Sequence, residues 1–312
     1  MDEPTTVVAL FGPTGVGKTA VAAALAQRLR ARGEADPIAV SADALQVYEG
    51  LGALTGVASA QEQRLLEHRL VGFVPVTEEF SVGEFMPLAH AQVDAALAAG
   101  RRPIVVGGTG LYLRAALCDL DLAPTVAPEV RERLEAELAA RGLEALHARL
   151  EKRAPKTAAA VNPKDRSRIL RALELLEVGA TPARGGDSQL WTAEMRRPTV
   201  LAGLTMERDA LYERIDRRVD AIVAAGGADE ARRAGAAGAS RTARAALGFE
   251  ELLVGDVEML KRRTRNYAKR QLSWIRKLGG LEPIDVTGRA SEEVAAEVGA
   301  LVERSEGEVV AR

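Results

Sequence analysis

Residues 12–19 read Gly12, Pro13, Thr14, Gly15, Val16, Gly17, Lys18 and Thr19, a G-x-x-x-x-G-K-T pattern. An apolar run, Val7 to Phe11, leads into it, and an amphipathic stretch, Ala20 to Arg30, follows at once. In that setting successive backbone N–H groups of a glycine-rich loop, aimed by the positive end of a helix, form a nest for phosphate oxygens. Lys18 adds a mobile positive charge, and Thr19 a hydroxyl for a bound Mg²⁺. The loop alone leaves open whether the phosphates belong to ATP or to another pyrophosphate. A second candidate is Asp43, just past the apolar run Pro37 to Ala42. It reads either as a helix N-cap or as an acid at the sheet edge where ligands of open α/β proteins bind.

The elements that must position these groups follow from the pattern of runs and breaks. Pro37–Ala42 is expected as a buried parallel strand, Arg69–Val76 as a third strand, residues 81–99 as an amphipathic helix and Pro103–Val106 as a fourth strand. That strand ends in Gly107-Gly108-Thr109-Gly110, with a helix from Leu111 onward. An ordinary P-loop ATPase or GTPase carries an Asp after such a strand to hold Mg²⁺; here glycines and Thr109 follow instead. An acid on strand two rather than there suits group transfer onto a bound acceptor. From Ala127 to Leu176 the pattern is helical throughout, with Pro128 at a first turn and a break at Gly142. A strand at 199–204 resumes the sheet, and Gly185-Gly186-Asp187-Ser188 reads as loop. The expected architecture is therefore α/β, a P-loop doubly wound parallel sheet core (1–123 and 198–312) with an inserted helical domain at 124–197.

The charged helix from Asp209 to Asp220 puts Leu211, Ile215 and Val219 on one face and Arg214 and Arg218 one turn apart on another. Those arginines either pair with neighbouring acids or point together at a phosphate. Leu260 to Leu278 reads as a long basic helix in which Lys269-Arg270-Gln271-Leu272-Ser273-Trp274-Ile275-Arg276 mixes bases with an aromatic, as RNA-contacting elements do. The net charge of −2 hides an asymmetry. Arg241 to Lys277 holds 10 Lys/Arg against 4 Asp/Glu, a local +6, which leaves −8 for the remainder. Without an apolar run approaching the ~18 residues of a membrane span, without a basic-then-apolar leader at Met1-Asp2-Glu3-Pro4, and with the single Cys118, the chain reads as a cytoplasmic protein with no disulfide and no membrane partner.

Taken in order and spacing, the phosphate loop, the strand-two acid, Gly-Gly-Thr-Gly-Leu-Tyr, Arg-Ala-Leu-Glu and Lys-Arg-Gln-Leu-Ser-Trp-Ile-Arg resemble the tRNA dimethylallyltransferases, from about Val7 to Lys277. The resemblance implies transfer of a five-carbon group from dimethylallyl diphosphate to the exocyclic amine of the adenine next to the anticodon, with Mg²⁺ as cofactor and a monomer bound to the anticodon stem-loop. It places the donor's diphosphate on Gly12–Thr19 with Arg214 as a second clamp. It makes Asp43 the group that orients or deprotonates the amine, and sets Thr109 beside the diphosphate and the flipped base. Asp43, Ala44, Leu45 and Gln46 fall on the family's D-S-x-Q. Further tRNA contacts map to Arg131, to Ser167, Arg168 and Arg171, to Gly248 and Phe249 within 245–250, and to Lys269, Arg270, Gln271, Trp274 and Arg276.

This chain departs from the family pattern at several positions. D-S-x-Q has become Asp43-Ala44-Leu45-Gln46, and the usual G-T-A-K-P is replaced by Ala53-Leu54-Thr55-Gly56-Val57-Ala58-Ser59. H-H-L-x-D reads His68-Arg69-Leu70-Val71-Gly72, and Glu250 stands at a spot often basic or polar. The competing readings are a P-loop small-molecule kinase, a free-adenylate isopentenyltransferase and a catalytically weak tRNA-binding homologue. The basic helix has no role in the first, the second needs neither insertion nor basic segment, and the Ala44 change permits the third.

Overall fold

The computed structural model describes residues 6–182 and 189–310. The loop expected at Gly185–Ser188 lies outside them. Chain contacts divide the protein into two compact units, one of 1–119 and 190–312 and the other of 120–189.

The larger unit is built on a parallel sheet of six strands, β1 (Val7–Phe11), β2 (Ala35–Ser41), β3 (Glu67–Arg69), β4 (Arg101–Gly107), β5 (Thr199–Thr205) and β6 (Leu281–Asp285), in the order β3-β2-β4-β1-β5-β6. Every residue of β1 is buried, as a central parallel strand covered on both faces requires. Its helices in chain order are α1 (Lys18–Ala31), α2 (Gly52–Thr55), α3 (Ala60–Leu65), α4 (Val82–Ala98) and α5 (Gly110–Leu117). In the smaller unit come α6 (Pro128–Arg153), α7 (Pro155–Ala160) and α8 (Arg166–Glu177). The larger unit resumes with α9 (Arg208–Ala224), α10 (Gly227–Ala236), α11 (Arg241–Arg244), α12 (Phe249–Leu253), α13 (Val257–Ile275) and α14 (Ser291–Val310). α1 buries Val21, Leu25 and Leu29 at helical spacing, in one cluster with Val294, Val298 and Val302 of α14.

Two strand expectations need correction. β3 is Glu67–Arg69, not Arg69–Val76: Leu70 and Gly72 take positive φ (61° and 57°), which ends the extended run, and Val74 contributes only an isolated bridge to Tyr48. Nothing in the pattern announced β6 and α14, which complete the sheet edge and cover α1.

In the smaller unit, Leu134, Leu146 and Leu150 of α6 pack on Ile169, Leu170 and Leu173 of α8. α6 carries its break at Gly142 (φ 78°, ψ 166°), where the sequence placed one.

Candidate active site

Because β2, β4 and β1 are neighbours in a parallel sheet, the loops at their C-terminal ends lie side by side. They are the loop from Gly12 to Gly17, the turn at Asp43, and Gly108-Thr109. Two strand spacings separate the first two, roughly 10 Å. With α9 and α13 they line a cleft of about 710 Å³ bordered by Lys18, Thr19, Asp43, Gln46, Arg214 and Gln271 among others.

On the phosphate-loop side, Lys18 Nζ donates to the carbonyls of Gly12 (2.9 Å) and Pro13 (3.0 Å). Burial pushes its ammonium down to about 8; the charge of Arg218 acts the same way and that of Asp43 opposes it. Gly17 stands at φ 101° immediately before α1, a conformation open to glycine, and lines the cavity with Thr14, Gly15, Lys18 and Thr19. Among the described residues neither the Thr19 hydroxyl nor the Arg214 guanidinium has a hydrogen bond or ion pair, and both line the cavity. Arg214 and Arg218 reach it from α9, whose buried Leu211, Ile215 and Val219 form the adjoining face.

On the other side, no helix starts at Asp43. Its Oδ1 accepts from the N–H of Leu45 (2.9 Å) and of Gln46 (3.4 Å), a side-chain turn that leaves Oδ2 without a protein donor among the described residues. The Gln46 side chain accepts from Ser41 Oγ (2.9 Å) and donates to the Gly56 carbonyl (3.1 Å). Leu45 lines the cavity beside Asp43, and Ala44 is half-buried. Thr109 Oγ1 lies 3.2 Å from the hydroxyl of Tyr267 on α13. Burial pushes the Tyr267 phenol up to about 12, with the charge of Asp43 adding to it.

Several positions expected at an RNA surface are spoken for inside the protein. Gln271 is 4% exposed; its Oε1 accepts from Thr14 N–H and its Nε2 donates to the Gly108 carbonyl, each at 2.8 Å, so it braces the phosphate loop against the end of β4. Phe249 is fully buried and Gly248 is buried with its N–H on Glu251 (3.0 Å), leaving Ala245 and Glu250 exposed in that stretch. Trp274 is half-buried against Trp191, ring centroids 4.6 Å apart. By contrast Lys269, Arg270 and Arg276 are exposed and carry no ion pair among the described residues. In the smaller unit, Arg131 is tied to Glu135 (3.0 Å) and Glu174 (2.7 Å), and Arg171 to Glu174 (3.3 Å) and the Pro124 carbonyl (2.8 Å). Ser167 and Arg168 remain exposed.

The family model described as IPP transferase matches residues 46–278. The chain belongs to that family. It is 42% identical to the tRNA dimethylallyltransferase of Thermobifida fusca over 87% of each chain. To that of Symbiobacterium thermophilum it is 39% identical, over 92% of this chain and 93% of the relative. A solved structure of the full-length tRNA isopentenylpyrophosphate transferase from Bacillus halodurans superposes with a TM-score of 0.68 at 33% identity, covering 97% of this chain and 98% of that one. A eukaryotic dimethylallyltransferase, at a TM-score of 0.75 and 23% identity, shares the fold.

Sequence reading missed Tyr267 and the bracing role of Gln271, since only the packing of α13 across the loops reveals them. Arg218 carried a signal, its one-turn spacing from Arg214.

Proposed function

We propose that the protein is a tRNA dimethylallyltransferase. It moves the dimethylallyl group of dimethylallyl diphosphate onto the exocyclic amine of the adenine 3′-adjacent to a tRNA anticodon and releases diphosphate. The observation that carries this reading is one cavity lined by Lys18, Arg214 and the phosphate loop together with Asp43.

In the reaction the carbon–oxygen bond of the donor breaks as the nitrogen–carbon bond forms, and the amine's proton passes to Asp43. Lys18, Arg214 and the loop amides stabilise the negative charge that grows on the leaving diphosphate. The free Oδ2 of Asp43 orients the amine while Leu45 and Gln46 hold Oδ1 in place. Thr109 is hydrogen-bonded to Tyr267, which lines the cavity, and its part is to steady the acceptor side of the site. The Thr19 hydroxyl lines the cavity without another partner among the described residues, and it would be the protein's ligand for a Mg²⁺ that arrives with the diphosphate. When bound, the ion neutralises part of the diphosphate charge.

The adenine must leave its stack to enter, at a cost of about a few kcal/mol, offset by backbone contacts elsewhere. The exposed Lys269, Arg270 and Arg276 on and just past α13 provide such contacts, with Ser167 and Arg168 of the smaller unit as further candidates. The protein acts as a monomer and works in the cytoplasm, where its RNA substrate is.

Incubation with dimethylallyl diphosphate or ATP, and with unmodified tRNA or AMP as acceptor, followed by mass analysis of the products, tests the reading. Prenylated adenosine is expected; phosphorylation of a small molecule from ATP, or prenylated AMP, would replace it. Asp43→Asn is expected to lower the transfer rate by at least ~10²-fold with tRNA affinity unchanged; wild-type turnover in that variant would refute the role of Asp43.

A further inference from the structure

The chain's two tryptophans, Trp191 and Trp274, meet within the larger unit, ring centroids 4.6 Å apart at 50°. Both are half-buried, so part of the pair faces solvent. Trp274 packs on bare backbone: a Cβ at Gly110, the residue after Thr109, would lie 2.2 Å from its indole. Along α13 it stands two turns, roughly 10 Å, beyond Tyr267, which lines the cleft.

Trp191 belongs to the segment that leads into β5, and that segment is fixed from both sides. Arg114 of α5, 1% exposed, donates to Thr192 Oγ1 (3.1 Å) and to the Glu194 carbonyl (3.3 Å), and Arg196 N–H donates to the Leu117 carbonyl (2.8 Å). On the other side a Cβ on Gly279 would lie 2.9 Å from the Trp191 carbonyl, so the segment rests directly on the chain leaving α13. Held in this way, the indole keeps one position. Lys277 Nζ lies 5.4 Å from its ring centre, and Lys277 and Arg276 are exposed with no ion pair among the described residues. An accessible aromatic ring beside unpaired cations matches single-stranded RNA, whose base stacks on the ring while its phosphate meets the cation.

We propose that Trp191 is a stacking surface for a nucleobase that flanks the extruded adenine, with Lys277 on that nucleotide's phosphate. The proposal rests on the transferase reading and adds to its acceptor side a residue from outside α13. Extrusion of a base uncovers one face of each neighbour in the stack, and a ring fixed near the cleft covers one of them. Stacking accepts any base, so the contact secures the opened loop without reading its sequence. Trp274 backs the ring, and Arg114 acts through the segment as a positioning residue.

Fluorescence and binding titrations of the full chain with an unmodified anticodon stem-loop RNA test this. In Trp274→Phe, Trp191 is the sole tryptophan, and its emission is expected to be quenched as the RNA binds. Trp191→Ala is expected to weaken the RNA roughly tenfold with pyrophosphate affinity as in wild type, and Trp191→Phe to recover most of the loss. Lys277→Gln should lower the salt slope of RNA binding by about 1. The same RNA with an abasic residue on the 5′ or the 3′ side of the target adenine locates the contact. With one of the two, wild type is expected to lose what Trp191→Ala loses, and the variant to lose nothing more. Unquenched Trp191 emission, unchanged RNA affinity in Trp191→Ala, or additive losses with both abasic RNAs would overturn the proposal alone. So would parallel falls in RNA and pyrophosphate affinity with a lowered unfolding midpoint, which mark a purely structural ring. A wild-type protein that binds no tRNA overturns the transferase reading and this proposal with it.

Discussion

Tyr267 and Thr109 meet hydroxyl to hydroxyl at 3.2 Å, joining the long basic helix to the loop that ends β4. The phenol sits far above its ordinary range, at about 12, so it stays protonated across the physiological range and keeps Thr109 in one orientation. Tyr267→Phe removes this single hydrogen bond and leaves the ring. A loss of about 1 kcal/mol corresponds to roughly a fivefold fall in kcat. Pyrophosphate affinity should not change, and a kinetic comparison of the two proteins checks both parts.

The depressed Lys18 ammonium makes donor binding pH-dependent. In the empty site its proton is lost as pH rises through about 8, whereas a bound diphosphate favours the charged form. Affinity for dimethylallyl diphosphate is therefore expected to be flat below about pH 8 and to fall above it, by at most about tenfold per pH unit. Lys18→Arg keeps its charge over this range and should flatten the profile. Donor binding measured from pH 6.5 to about 9.5 in both proteins decides the matter.

Gln271 satisfies two backbone groups from different loops, the Thr14 N–H and the Gly108 carbonyl. Gln271→Leu leaves both without their partner, for a destabilisation of about 2–4 kcal/mol in denaturant unfolding. Gln271→Glu keeps the shape but offers the Gly108 carbonyl no donor and sets a negative charge beside the phosphate loop. It should therefore raise the donor KM more than its effect on stability would suggest.

Half of the positive charge in the basic segment is neutralised locally: Arg241, Arg244, Lys261, Arg263 and Arg265 pair with Glu79, Glu250, Asp220, Glu251 and Asp216. Arg262, Lys269, Arg270, Arg276 and Lys277 are exposed and carry no ion pair among the described residues. If these act through phosphates, the logarithm of tRNA affinity falls linearly with the logarithm of salt concentration. Replacing Lys269 and Arg270 together by Gln should lower that slope by about 2, as filter binding across a salt series would register.

What the sequence disclosed, and what it withheld, follow one physical division. The phosphate loop, Asp43 and the central strands are local signals, written in consecutive residues whose types permit few alternatives. The break at Gly142 was legible for the same reason. The third strand was misplaced because the apolar content of 70–76 continues past the point where positive φ at Leu70 and Gly72 ends the extension, and composition does not report that angle. Helix α13 shows both sides at once. Its basic residues were evident, yet the inward turn of Gln271 and the meeting of Tyr267 with Thr109 depend on how it crosses loops more than 150 residues earlier in the chain. Phe249 was assigned to a surface for want of knowing that its neighbours close over it.

The family match ends at residue 278, short of β6 and α14, and no residue assigned to the chemistry lies beyond it. Yet Val294, Val298 and Val302 share an interior with α1, the helix on which Lys18 and Thr19 are mounted. The tail of the chain thus serves as a backing plate for the element that grips the leaving group. A change in α14 that loosens this seating would be felt first in the hold on diphosphate, with the RNA-facing bases left as they were.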